Sequence, residues 1–453
     1  MYKRLLPLSL AVAAALPAAS FAQDGNDLAQ VKEEIAALKQ QIAKLEQKLE
    51  QEKQQQADEQ RQLVADRSQQ RQRERRRQPD TGVQARLDKL ESRVDDAQNW
   101  PIRIGGAVRF QYVYENYNTA QQNRTGDFDF DIFRLDFDGE IGGVILSAQY
   151  RWFQYMEAVQ HAWFGYNFTP ELQGQVGVVK VPFGNMPYNS HSYFFDSTFY
   201  VGLEDEHDNG VRLKYRSDQW DFDVGFYKSD EQGGVDGFVS DRTARYSYDP
   251  VGILLPGQGV YDKPGVAIGE SNSWAVRGAH KWHWGDSEQL ELGVSSQWGN
   301  LYSPSENVGN RKAYAVHGVY NNGPWEVMLQ YSDYEYDMDI ENRGISVGAY
   351  AFYDGIPASA KLYTGNVAYT LPVDIGPITS LTFYNDYSLT TDREGYHDDT
   401  WMNITGVAVA AGGGVYTYVD LVKAKNHPFI GGSMAQDGGE VNTRFNINFG
   451  YYF

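Results

Sequence analysis

The 453-residue chain contains no cysteine, which excludes disulfides, thiolate metal sites and cysteine nucleophiles. Beyond its N-terminus it also lacks any unbroken apolar run of the roughly eighteen residues that a membrane-crossing helix requires. That excludes a helical membrane protein and leaves a barrel open, because in a barrel strand only alternate residues face lipid. Positive charge is in deficit too: 40 Lys and Arg stand against 60 Asp and Glu, a net charge of -20. Such a surface repels nucleic acid, whose binding needs basic groups to displace counterions. No phosphate-cradling glycine loop is present. His280 and His283 have the odd spacing that sends two strand residues to opposite faces, so they form no metal pair. No cofactor, metal or catalytic residue is expected, and the chain does not read as an enzyme.

What is present begins with MYKRLLPLSLAVAAALPAASFA, a basic start, an apolar centre and small residues at Ser20 and Ala22. This pattern predicts a secretory signal peptide over residues 1–22. Residues 23–98 are helical in period. Leu28, Val31, Ile35, Leu38, Ile42, Leu45 and Leu49 step by three and four residues in alternation, the seam of a coiled coil. An α-helical, oligomerising stalk in the periplasm is expected there. Its RQRERRRQ stretch reads as solvated, with contact to peptidoglycan or anionic lipid as the alternative.

From residue 99 the period becomes two. IRIGGAVRFQYVYENY places Ile102, Ile104, Val108, Phe110, Tyr112 and Tyr114 on one face, with Arg103, Ala107, Arg109 and Gln111 on the other. About sixteen such stretches of roughly ten to fourteen residues follow, suited to tilted membrane strands. Short connections (EIGG, TPEL, SDQ, GDSE, NNGP, AGGG) largely alternate with longer ones at 185–208, 229–270, 301–310, 335–356 and 426–440. That asymmetry predicts an all-β transmembrane antiparallel barrel over 99–453, with tight turns at one end and long loops at the other.

About sixteen strands enclose water rather than a packed core, so charges facing inward are cheap. Alternation assigns to the lumen the bases Arg109, Arg134, Arg151, Lys180, Arg212, Lys214, Arg216, Arg277, Lys281 and Arg444. It assigns there also the acids Asp129, Asp131, Asp136, Asp221, Asp223 and Glu291. Arg212, Lys214 and Arg216 stack on one strand and are the expected anion track, unless a counter-row of acids meets them. The Asp-rich DFDFDIFRLDFD changes parity, which predicts a bulge between Ile132 and Arg134. Lys180 shares parity with Val176 and Val178, which leaves its direction open. The connection near 185–208 carries Tyr193, Phe194, Phe195, Phe199 and Tyr200, aromatics that need a surface to cover. An inward fold that narrows the lumen is expected, with an outer lid as the alternative. The acidic stretches LEDEHD and YEYDMDIE are expected in outer loops, where divalent ions bridge such groups to lipopolysaccharide.

The chain ends on RFNINFGYYF, whose Phe445, Ile447, Phe449, Tyr451 and Phe453 alternate on the face assigned to lipid. A terminal Phe after alternating aromatics, here Phe449, Tyr451 and Phe453, resembles the signal that outer-membrane assembly machinery reads. FDIFRLDFDGEIGGVILSAQYRW and QGQVGVVKVPFGNMPY resemble the phosphate-selective porin O and P family, a likeness extending roughly from Pro101 to Phe453. Arg134, Gly139, Lys180, Pro182, Phe183 and Gly184 stand at the matching positions, whereas Leu135 stands where that family often has a second arginine. The resemblance implies a sixteen-stranded homotrimeric porin in the outer membrane of a Gram-negative bacterium, anion-preferring and narrowed by inward loops. The expected function is passive diffusion of small hydrophilic anions such as phosphate or small carboxylates. A channel for sugars or other neutral or cationic solutes, and a barrel-anchored cell-wall tether, are the alternatives.

Overall fold

The computed structural model describes residues 101–285 and 287–453. The expected signal peptide and coiled coil lie outside the described residues. From Ile102 on, the chain forms β1 (Ile102–Glu115), a short helix α1 (Thr119–Arg124), β2 (Asp127–Ile141), β3 (Val144–Phe153), β4 (Glu157–Asn167) and β5 (Leu172–Lys180). There follow β6 (His207–Arg216), β7 (Trp220–Asp230), β8 (Asp249–Ile253), β9 (Val266–Ala267), β10 (Gly269–Trp284), β11 (Glu288–Ser303) and β12 (Glu306–Asn322). The last elements are β13 (Trp325–Met338), β14 (Ile345–Ala349), β15 (Phe352–Ile356), β16 (Ser359–Ile375), β17 (Ile378–Thr391), β18 (Thr400–Ala411), β19 (Val415–Lys425) and β20 (Val441–Tyr452).

Sixteen of these strands pair antiparallel with their neighbours in one closed barrel; β8, β9, β14 and β15 form a separate four-stranded sheet. Closure runs from Ala107 opposite Tyr452 to Glu115 opposite Arg444, and Gly106 and Phe453 exchange backbone hydrogen bonds beyond it. The seam leaves no barrel edge with unpaired amides. It also fixes which side of each strand is inside. On β12, Arg311, Ala313, Ala315 and His317 are buried, while Tyr314 and Val316 are exposed on the outer wall. Phe449, Tyr451 and Phe453 lie on that same outer wall, and Phe110 stacks on Phe128 6.0 Å away. Each such side chain left in water would forgo on the order of 1 kcal/mol or more, so a wall of them calls for an apolar surrounding.

Three expectations are corrected. The register of β1 against β2 passes from Arg109–Ile132 to Phe110–Phe130, so the extra residue is Asp131, before Ile132 rather than after it. The bulge keeps Asp131 inside to meet Arg109 and lets Arg134 and Asp136 keep the inward side with it. The connection expected at 301–310 is a hairpin in which Ser303 faces Glu306, with a register shift where Leu301 faces Gly309 and Tyr302 faces Asn307. The connections at 229–270 and 335–356 are not plain loops: they carry β8 and β9, and β14 and β15. β14 pairs with β8 from the other connection, so the two long loops are joined by a backbone ladder.

If the outer wall meets acyl chains, a charge in its middle is costly. Val316→Arg is expected to destabilise the barrel by about 2–4 kcal/mol in phospholipid vesicles, read by urea titration. Lys312→Ala, which removes the exposed pair with Glu335, is expected to leave the urea midpoint nearly unchanged.

Candidate functional site

The segment between β5 and β6 leaves the wall at Gly184. There φ is +61°, and an added Cβ would stand 2.1 Å from Gln330 Oε1, so only glycine fits. Its N–H donates to Ser295 Oγ (3.0 Å), and its carbonyl accepts from Arg277 Nε (2.8 Å). The chain then crosses the interior to β17, which lies diametrically across the strand order from β5. There the N–H groups of His191 and Ser192 donate to Asp386 Oδ2 at 2.9 and 2.8 Å. The imidazole of His191 bridges Asp386 Oδ1 and Glu326 Oε1, each at 2.9 Å. Burial opposes protonation of His191, but hydrogen bonds and charge from Asp386 and Glu326 outweigh it and raise the imidazole to about 9. At neutral pH the loop is thus pinned by an imidazolium between two carboxylates.

Much of the expected acid is used in this anchorage. Asn189 donates to Glu204 Oε1 (2.8 Å), Asp196 Oδ2 (2.7 Å) and Thr364 Oγ1 (2.9 Å), all buried. The stretch LEDEHD does not face the outside: Glu204, Asp205, Glu206 and Asp208 are all buried. Its expected role at lipopolysaccharide is therefore corrected. Only the second stretch, with Asp337, Asp339 and Glu341, is exposed.

The loop aromatics divide into two groups. Tyr193 donates to Asp131 Oδ1 (3.0 Å), and its ring lies 5.2 Å from the Arg109 guanidinium. The Phe194 ring lies 4.9 Å from the guanidinium of Arg444. Phe195 stacks on Phe199 at 4.2 Å, and Phe199 and Tyr200 pack against Tyr248 of β8's approach and are buried. The last three join the inward loop to the four-stranded sheet, so it is Tyr193 and Phe194 that meet the basic wall.

A cavity of about 400 Å³ remains, lined by Arg109, Arg134, Arg151 and Arg444 on one side and by Tyr188, Tyr193 and Tyr246 on the other. The four arginines come from β1, β2, β3 and β20, adjacent strands with the same inward parity. Arg109 pairs with Asp131 (2.8 Å), Arg134 with Asp136 (2.7 Å) and Arg444 with Glu115 (3.1 Å). Arg151 differs. It donates to Gln149 (2.6 Å), lies 4.3 Å from the Tyr246 ring, and has no carboxylate in ion-pair range among the described residues. It is also the direct cross-strand partner of Arg134, a like-charge arrangement that is unfavourable unless water or an anion relieves it.

Most of the other expected lumen bases are paired with acids. Arg212 and Arg216 both end on Asp223 (2.6 and 2.8 Å), and Asp221 serves Lys281 (2.8 Å). Arg277 pairs with Glu291 (2.5 Å) and holds Gly184. Lys214 is half-buried beside them, and Asp129 faces inward opposite Gln111. On β6, then, Arg212 and Arg216 share Asp223, while Lys214 between them has no carboxylate in ion-pair range among the described residues. Lys180 turns inward despite its parity: its Nζ pairs with Asp205 (2.5 Å) and lies 4.7 Å from the Tyr188 ring. Sequence reasoning missed Tyr188, His191 and Tyr246; the signal was the density of Tyr in the long connections, where solvent-exposed aromatics would be costly.

No protein-family model matches the chain, and no curated protein matches it. Solved structures do. Salmonella typhi OmpF, in complex with daunomycin, aligns with a TM-score of 0.50 at 10% identity, over 78% of this chain and 97% of that one. Pseudomonas putida OprB aligns with a TM-score of 0.49 at 9% identity, over 79% and 96%. An anion-selective porin from Comamonas acidovorans aligns with a TM-score of 0.48 at 13% identity, over 78% and 99%. At these identities the likeness concerns the fold, a closed barrel of the kind seen in outer-membrane porins.

Two outcomes follow. His191 is raised above its free value near 6.5, so its contribution is complete below about 6.5 and is lost as pH rises through about 9. Single-channel recordings are expected to become noisier and larger in conductance between about pH 7 and 10, and His191→Ala is expected to abolish that dependence. The triple replacement Arg212→Ala, Lys214→Ala and Arg216→Ala is expected to lower the thermal midpoint, because it strips partners from Asp221 and Asp223.

Proposed function

We propose that the protein is a passive diffusion channel of a Gram-negative outer membrane, working as a homotrimer and preferring small hydrophilic anions such as phosphate or small carboxylates. The observation that carries this reading is the Arg134–Arg151 pair on the free wall of the constricted lumen, with Arg151 lacking a carboxylate. A unit anion 4 Å from such a guanidinium gains about 4 kcal/mol at an effective dielectric of 20 and about 1 in bulk water. Partial dehydration in the narrowed cavity is what turns a pair of arginines into a filter. No energy source enters: the field attracts the solute, and Tyr193 and Phe194 set the width. The resemblance to the phosphate-selective O and P family, at Arg134, Gly139, Lys180, Pro182, Phe183 and Gly184, supports the same reading.

The remaining parts fit around this. Residues 1–22 are read as directing export and residues 23–98 as an oligomerising periplasmic stalk, both outside the described residues, and the barrel of 99–453 sits in lipid. The end with short turns faces the periplasm, and the end bearing the four-stranded sheet faces outward, where exposed acids meet lipopolysaccharide. The assembly machinery reads Phe449, Tyr451 and Phe453. A second reading, a sugar channel, is favoured by one observation: Tyr188, Tyr193 and Tyr246 line the cavity, and aromatic faces stack on sugar rings.

Reversal potentials in unequal salt across a planar bilayer decide between them. The native channel is expected to be anion-preferring, and Arg151→Ala is expected to lower the anion-to-cation permeability ratio by about tenfold, the loss matching roughly 1.4 kcal/mol of attraction. A native channel without anion preference would sink the reading.

A further inference from the structure

Where the inward loop returns to the wall, three carboxylates from separate stretches converge. Glu206 ends the loop, Asp208 lies at the start of β6, and Asp249 opens β8; each offers an oxygen within 4.8 Å of the others, and all three are buried. The backbone draws these stretches together: Val181 N–H donates to the Glu206 carbonyl (2.8 Å) and His207 N–H to Ser247 Oγ (3.2 Å). The surrounding bases are already committed. Arg245 pairs with Asp249 (2.5 Å) and Glu231 (3.2 Å), Arg242 with Asp230 (2.6 Å), and Arg311 with Glu270 (2.5 Å).

Glu206 and Asp208 have no such partner. Glu206 is 3% exposed and Asp208 1%, and Glu206 Oε2 and Asp208 Oδ1 are buried atoms without any hydrogen-bond partner. The Tyr248 carbonyl borders the same corner: a Cβ on Gly202 would stand 2.3 Å from it and 3.5 Å from Glu206 Oε2. Burial, followed by the charges of Asp249, Asp208, Glu231 and Glu270, pushes the Glu206 carboxyl well above the usual range. Two adjacent buried carboxylates without a base cost several kcal/mol as bare charges. A cation relieves them, and the donors here are all hard oxygens with neither thiolate nor imidazole aimed in. Such a set suits calcium, which accepts six to eight oxygens in flexible geometry, better than zinc or a strictly octahedral magnesium.

We propose that Glu206, Asp208 and Asp249 bind one calcium ion, which clamps the returning leg of the inward loop to the four-stranded sheet. The ion ties the constriction to the cap above it, independently of which solute passes.

The test uses the full-length protein folded in detergent micelles and stripped with EDTA. Calcium titrated alone, followed by isothermal calorimetry, is expected to show one tight site per chain and to raise the thermal midpoint. Glu206→Gln with Asp208→Asn is expected to weaken that site at least ~100-fold. The same double variant is expected to be more stable than the native chain in EDTA and less stable in calcium, since it removes both the repulsion and the ligands. Asp337→Asn with Glu341→Gln, on exposed acids, is expected to keep the site. A native chain whose midpoint is the same in calcium and EDTA would overturn the proposal. So would a midpoint indifferent to calcium that falls as pH rises from about 5 to 8, which would mean the carboxylates share a proton. Should the double variant not fold, the stoichiometry and midpoint shift of the native chain decide alone.

Discussion

Everything inside this molecule depends on the backbone seam between β1 and β20. A sheet that closes has an inside and an outside, and each strand must present alternate residues to both. Once Ala107 stands opposite Tyr452, the register passes from strand to strand around the ring, and the direction of every side chain follows. The four arginines of the cavity come from β20, β1, β2 and β3, that is, from the seam and its neighbours. Weakening closure would not just open the barrel; it would disperse the residues that give the lumen its sign.

Within that ring, the two signs of charge have been sorted by use. Acids at β13 and β17 are occupied with His191 and the backbone of the crossing loop, and Asp221 and Asp223 are occupied with bases of β6 and β10. A chain with a strong acidic excess can therefore still gather four arginines around one interior cavity. Net charge describes the whole molecule, whereas the local field depends on the groups left without an oppositely charged partner. Among the described residues Arg151 is such a group, and it stands opposite Arg134.

The barrel was legible because alternation is a local property: a strand that reads polar–apolar does so without knowledge of its neighbours. The inward side of Arg109, Arg134 and Arg212 could be named from that alone. Their partners could not, since pairing depends on register between strands and on loops arriving from far along the chain. Arg212 and Arg151 look alike in sequence, yet one meets Asp223 and the other meets Tyr246. The bulge beside Asp131 was displaced for a related reason: a bulge shifts parity locally and leaves no unambiguous mark on the residue pattern. The four-stranded sheet escaped notice because its strands are short and pair across two connections distant in sequence.

That sheet also governs how the molecule can vary. β8 and β14 belong to different surface connections but share one ladder, with Ile345 facing Ile253 and Gly348 facing Asp249. An insertion in either would slip the register of both and displace the loop beneath them, whose Phe199 packs on Tyr248. The segments at 116–126 and 392–399 join neighbouring barrel strands and carry no strand of that sheet. The two connections that share the sheet are therefore confined to change length together, whereas the segment at 392–399 is tied separately, through Arg393 to the carbonyls of Met434 and Gln436.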